Sequence, residues 1–144
     1  MRAIVEKVSY AKLFSEGKFY SQIKDGLVVL FGVKDDDTID MVPKMAKKIL
    51  TLRIFRDEND KMNNDVCDIN GEIMLVSNFT LYGRTDKTNR PDFTHAAKPD
   101  LAEKIYLALY EELKKSCPTV TGVFRTHMDI EMSANGPGTF LVEL

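Results

Sequence analysis

The sequence predicts an α+β fold, a mostly antiparallel, barrel-like β-sheet with two helices, in a single domain over residues 1–144. Three observations carry this expectation. Short apolar runs bounded by turn residues recur near both ends of the chain and in its middle, as strands do. Two longer segments, 38–52 and 100–116, instead repeat apolar residues at the spacing of a helix. No repeat, linker or low-complexity stretch divides the chain, and a chain of this length buries roughly 70% of its unfolded surface without staples.

Met1–Leu13, where Ile4, Val8 and Tyr10 mingle with Arg2, Glu6 and Lys12, reads as the first strand. Ser15-Glu16-Gly17 is a turn, and Lys18–Lys24 returns as the second strand. Asp25-Gly26 is a hairpin signal, and Leu27–Val33 is so uniformly apolar that both of its faces must be covered. The opening is therefore expected to be a three-stranded antiparallel meander, with Gly32 marking a bulge or a close backbone approach. The acidic Asp35–Asp37 precedes the first helix, where Ile39, Val42, Met45, Ala46 and Ile49 form the buried stripe and Pro43 must fall in the first turn. Arg53–Arg56 reads as a short strand, Asp57–Lys61 as a polar turn and Met62–Ile69 as a loop packed on the sheet. In the second helix Asp100 and Glu103 form a capping box, Ala102, Ile105, Leu109 and Leu113 face the core, and Cys117-Pro118 ends it. Thr119–Phe124, His127–Met132 and Thr139–Leu144 complete the strands.

The central strand follows the turn pair Asn70-Gly71 and runs over Ile73–Gly83. Its first half is apolar and branched, as a buried strand requires. Its second half brings in Ser77, Asn78 and Thr80 where a purely structural strand would keep alternating. Either these groups satisfy neighbouring backbone at a strand end, or the strand end is a working site; both readings stand on these residues alone. The segment after it, Gly83–Lys98, is long, polar and more basic than acidic, with Arg84, Lys87 and Arg90 in it. Ordered loops of that length are usually functional.

Several classes of function are set aside by composition. A net charge of −2 is wrong for a protein that coats nucleic acid, although it leaves room for a local grip on one RNA end. The longest apolar runs, Leu27–Val33 and Ile73–Val76, fall far short of a membrane span, and no signal peptide is evident. Cys67 and Cys117 read as free thiols of a cytoplasmic protein. Neither His95 nor His127 has a partner at metal-ligand spacing, and Gly136-Pro137-Gly138 precedes a strand rather than the helix a phosphate loop needs. If the chain is an enzyme, it is expected to work with no metal, no cofactor and no evident catalytic triad.

Two motifs now decide between those readings. Ser77-Asn78-Phe79-Thr80-Leu81-Tyr82-Gly83, followed by Asn89-Arg90-Pro91-Asp92-Phe93, resembles the Ser-Gln-Phe-Thr-Leu signature of the D-aminoacyl-tRNA deacylase family. Gly136-Pro137-Gly138-Thr139 resembles that family's Gly-Pro-Val-Thr, and the order of elements agrees over the whole chain, Lys48–Phe55 included. The resemblance implies a homodimeric hydrolase that cleaves the ester between a D-amino acid and the 3′-terminal adenosine of tRNA; the alternative is a tRNA-end binding module or a related deacylase with altered substrate specificity. It implies that Ser77, Asn78, Phe79 and Thr80 line one subunit's pocket, near Met128, and that Gly136-Pro137 reaches in from the other subunit through a cis peptide bond. Arg84, Lys87 and Arg90 would then contact phosphates of the aminoacyl-tRNA. The chain departs from the family pattern at Asn78 for Gln, at Lys7 for an arginine that helps hold the Gly-Pro loop, at Arg125-Thr126-His127 for Gly-Ala-x, at Ala134-Asn135 for Asn-x, and at Gly138 for Val.

An aminoacyl ester is already activated, so the implied chemistry needs positioning, an oxyanion site and an attacking group. Thr80 as nucleophile lacks a base in the motif. Water, assisted by the substrate's own 2′-hydroxyl, with backbone N–H groups around Phe79–Thr80 binding the oxyanion, is the expected route. Chirality would be read by exclusion, the Gly-Pro backbone leaving room for hydrogen on one side of the substrate Cα; glycine would be admitted with the D-amino acids.

Overall fold

A computed structural model describes residues 1–86 and 88–144. β1 (Arg2–Ser15) is the spine of the sheet. Its partner on one side is β8 (Met128–Glu143), antiparallel from Arg2 opposite Glu143 to Ser15 opposite Met128. On the other side it pairs with β2 (Lys18–Ile23) and β3 (Gly26–Gly32), both antiparallel. These two are one return strand with a break, because Val8 faces Gly26 and Ala11 faces Ile23, three residues on in each chain. The expected meander is therefore replaced by a single long hairpin. Its turn is Glu16-Gly17, where φ is 50° and 75°, the doubly positive pair that the twist of a tight hairpin favours. Asp25-Gly26 has hairpin composition but is only the interruption.

β6 (Glu72–Ser77) runs parallel to β3 and to β7 (Thr119–Thr121), so the sheet mixes three antiparallel with two parallel pairings. Ser21 Oγ donates to Thr121 O at 3.0 Å, which brings β7 back against β2 and curls the sheet into a nearly closed barrel. α1 (Val42–Leu50) and α2 (Pro99–Leu113) pack on its outer face. The two faces of β6 account for the two cores. Ile73 and Leu75 meet Met45, Ile49, Ile105 and Leu109 on the helical side, while Met74 and Val76 meet Val8, Leu13 and Val28 inside the curl. β4 (Phe55–Arg56) and β5 (Met62–Asn64) form a small separate ribbon, so part of the expected loop 62–69 is a strand.

Four boundaries move for local reasons. α1 begins at Val42, with Pro43 in the first turn, and Ile39 sits exposed in a preceding 3-10 turn rather than in the buried stripe. α2 is entered through Pro99, whose fixed φ suits the first turn, so Lys98 takes the N-cap position and no side chain caps the helix; the Asp100 box does not form. β7 stops at Thr121, and the last two expected strands are one, bulged between Ala134 and Thr139. The central strand ends at Ser77, and Phe79–Tyr82 turns away as a 3-10 helix. Gly32 permits that turn: a Cβ there would lie 3.0 Å from Leu81 Cβ and 3.1 Å from Asn78 O.

Candidate active site

The end of β6 opens into a cavity of about 570 Å³. Ser77, Asn78 and Phe79 form one wall, and Phe124, Arg125 and Thr126, between β7 and β8, form the facing one. Phe93, the entry to α2 at Pro99, and Met128, the first residue of β8, complete the lining. The lining is mostly apolar with a few polar groups converging from one strand end, the usual composition of a small-ligand site. Phe79 and Phe93 meet edge to face, ring centroids 5.0 Å apart, and Gly83 leaves the space Phe93 needs, since a Cβ there would stand 2.8 Å from its ring. The buried Tyr106 hydroxyl donates to Leu75 O at 2.9 Å, and its ring backs Phe124 at 5.9 Å, fixing that wall. Burial raises the Tyr106 phenol well above its ordinary pKa, so it is a structural donor and not a titrating one.

Asn78 sets the local geometry. Its backbone N–H donates to Phe31 O at 2.8 Å, and its side-chain oxygen accepts both the Thr80 N–H, at 3.2 Å, and the Thr80 hydroxyl. Of the two N–H groups expected to serve an oxyanion, that of Thr80 is thus occupied, while that of Phe79, first in its turn, has no protein partner among the described residues. Thr80 itself is exposed and does not line the cavity.

The basic loop is folded onto itself. Arg84 and Asp92 exchange backbone hydrogen bonds of 2.8 and 2.9 Å, and the Arg84 guanidinium grips Asp86 through Nε and Nη2 while Nη1 lies 3.2 Å from His95 Nε2. Arg84 lines a separate cavity of about 410 Å³ together with Arg2 and Tyr82. Arg90 is exposed, and Lys87 lies outside the described residues.

Gly136-Pro137 is a cis peptide, with Gly136 at φ 121°, at the exposed tip of the β8 bulge. It does not line this chain's own cavity. The bulge is tied to β1 on both sides, by Asn135 Nδ2 to Ser9 Oγ at 3.2 Å and by Thr139 Oγ1 to the buried Glu6 carboxylate at 2.6 Å. Lys7 packs its stem on Gly138 but sends its ammonium toward the Phe55 ring, 5.8 Å from the centroid, so it does not hold the loop as the family's arginine is expected to. Ser9 and Glu6 carry those ties, and nothing in their sequence spacing announced it. Among the described residues no cluster of three or more His, Cys, Asp or Glu is placed to hold a metal, and no helix is long and apolar enough to cross a membrane.

A family model described as D-Tyr-tRNA(Tyr) deacylase matches residues 4–143. The chain belongs to this family. D-aminoacyl-tRNA deacylases of Clostridioides difficile (strain 630) and Thermosipho africanus (strain TCF52B) are 46% and 44% identical to it, over 99% of this chain and 97% of theirs in both cases. A solved structure described as "c-Myc DNA Unwinding Element Binding Protein" is 35% identical and superposes with a TM-score of 0.94, over 100% of this chain and 99% of its own. A probable eukaryotic D-amino acid tRNA deacylase, 13% identical with a TM-score of 0.82 over 98% of both chains, shares the fold. Within this family frame Arg125 stands out. It sits in the left-handed region at φ 62°, where glycine is at ease and a side chain is not, which explains why the family pattern has glycine there.

Proposed function

We propose that the chain hydrolyses the ester of D-aminoacyl-tRNA, releasing the amino acid and tRNA, and that it does so as a cytoplasmic homodimer. The observation that carries the reading is the end of β6, where Ser77, Asn78 and Phe79 line a mostly apolar cavity and the unpartnered Phe79 N–H offers an oxyanion donor. That donor is worth most where charge develops during attack on the ester carbon. Thr80 gives its proton to an amide oxygen, which is no base, so water is the attacking group and the ribose 2′-hydroxyl its neighbour. The exposed Gly136-Pro137 tip, which does not line its own chain's cavity, serves the cavity of a second copy and stands against the substrate Cα. Exclusion on that side admits D-amino acids and glycine and rejects L-amino acids. The test is the rate of deacylation of D-tyrosyl-tRNA against L-tyrosyl-tRNA. A D-selective rate is expected; equal rates, or hydrolysis of a free D-tyrosine ester as fast as the tRNA ester, would overturn the reading.

A further inference from the structure

We propose that Arg125 is a substrate-binding residue that holds a phosphodiester of the RNA 3′ end at the mouth of the cavity, a reading that rests on the deacylase activity proposed above. Among the described residues Arg125 is the one ionisable side chain that lines the cavity, and it is exposed. Among the described residues its guanidinium has no carboxylate, whereas Arg2, Arg56 and Arg84 each hold one. Of the acids nearest in sequence and across the hairpin, Asp129 lies 3.4 Å from His127 Nε2 and Glu16 accepts the His127 N–H at 3.0 Å, and neither pairs with Arg125.

The placement is imposed by the fold. Thr126 Oγ1 is bonded to Val123 O at 3.0 Å and to Ser15 Oγ at 2.9 Å, and Glu16 N donates to His127 O at 3.1 Å. These contacts clamp the segment onto the β1–β2 turn and hold Arg125 at φ 62°, a conformation a side chain disfavours. A clamped arginine, unpaired at the rim of an otherwise neutral cavity in a chain of net charge −2, is matched to an anion. The substrate's α-ammonium group would be repelled by it, so the guanidinium faces the RNA side of the ester. Its planar fork fits two phosphate oxygens.

The experiment compares D-tyrosyl-tRNA with D-tyrosyl-adenosine, which has the ester but no phosphate, for wild type, R125Q, R125K and R125G. R125Q is expected to raise KM on the tRNA about tenfold, to leave kcat and the nucleoside ester within about twofold, and to lower the slope of log KM against log salt by about 0.7. R125K should recover part of the loss, and R125G, which suits the left-handed backbone, should behave as R125Q. An equal loss on both substrates, no change on either, or a loss confined to D-aspartyl and D-glutamyl esters would each overturn the proposal. If the wild type deacylates neither substrate, the function is wrong and the contact still stands or falls on binding of an uncharged RNA with the tRNA 3′ sequence: tighter binding by wild type than by R125Q supports it, equal binding sinks it.

Discussion

Asn78 Oδ1 accepts two hydrogen bonds from Thr80, one from its backbone N–H at 3.2 Å and one from its hydroxyl. One amide oxygen therefore closes the turn at the end of β6, while the Phe79 N–H has no protein partner among the described residues. The residue that replaces the family's glutamine is a cap, and Thr80 is what it caps.

Thr80→Ala is expected to lower kcat for D-aminoacyl-tRNA by about 10- to 100-fold, about 1.4–2.7 kcal/mol, by loosening the turn that aims the Phe79 N–H. Thr80→Ser keeps the hydroxyl and should stay within about threefold of wild type. Single-turnover rates at saturating enzyme check this. Complete loss in Thr80→Ala, with tRNA binding unchanged, would instead make Thr80 the nucleophile.

Gly26 lets β3 and β6 start side by side. A Cβ at Gly26 would lie 1.9 Å from Glu72 O and 2.7 Å from Glu72 N, both backbone atoms that a rotamer change cannot move aside. Gly26→Ala should cost about 3 kcal/mol or more in urea unfolding, whereas Gly17→Ala, strained only by its positive φ and open to solvent, should cost about 1 kcal/mol. Equal costs would mean that the β3–β6 contact can relax.

The spacing of apolar residues carried the parts of the fold that depend on burial. Apart from Ile39, the stripes of both helices are where the periodicity puts them, and Leu27–Val29 is covered on both faces as its uniformly apolar run requires, because burial is what those patterns encode. Pairing was less legible. Asp25-Gly26 and Glu16-Gly17 have equal claims as turn pairs, and only the continuing register shows which one reverses the chain. The cavity was half legible. Ser77 and Asn78 interrupt a strand and draw notice, but Phe93, Phe124 and Arg125 come from two segments that meet only when β7 and α2 are in place. Arg125 had one signal, an arginine where the family pattern has glycine. Its meaning needed the backbone angle.

Stability should fall at alkaline pH. Burial pushes the Cys117 thiol up to about 12, and the buried Tyr106 phenol is raised as well. Raised acids keep their protons in the folded chain and release them on unfolding, so their contribution is complete below the unfolded value of 9.0 for the thiol and is lost as pH rises toward the folded one. Each such group removes about 1.4 kcal/mol per pH unit once the unfolded chain has ionised. Urea unfolding between pH 8 and 10.5 measures it, and Cys117→Ala should remove the part that starts near pH 9. A flat stability over that range would show that water reaches these groups.

The last prediction concerns which chain's tip serves which cavity. Gly136 needs its φ of 121°, and a Cβ there would press on Gly138 N at 3.1 Å, so Gly136→Ala should displace the tip while the β8 pairings on either side, tied through Ser9 and Glu6, hold. Its thermal midpoint should drop by only a few degrees, about what 1 kcal/mol yields in a chain of this size, while deacylation is lost. A second variant, Phe79→Asp, places a carboxylate in the cavity wall and should also be inactive, with its own tip intact. If the tip crosses to the partner, a mixed dimer holds one cavity with both parts unaltered, and the other with both altered. Unfolding and refolding the two variants together at equal concentration makes about half the dimers mixed, so about a quarter of wild-type activity should return from two inactive proteins. If the tip served its own chain, every cavity in the mixture would carry one defect and nothing would return. Activity recovered on mixing, measured against each variant refolded alone, therefore separates the two arrangements; its absence with mixed dimers present would rule out the crossing.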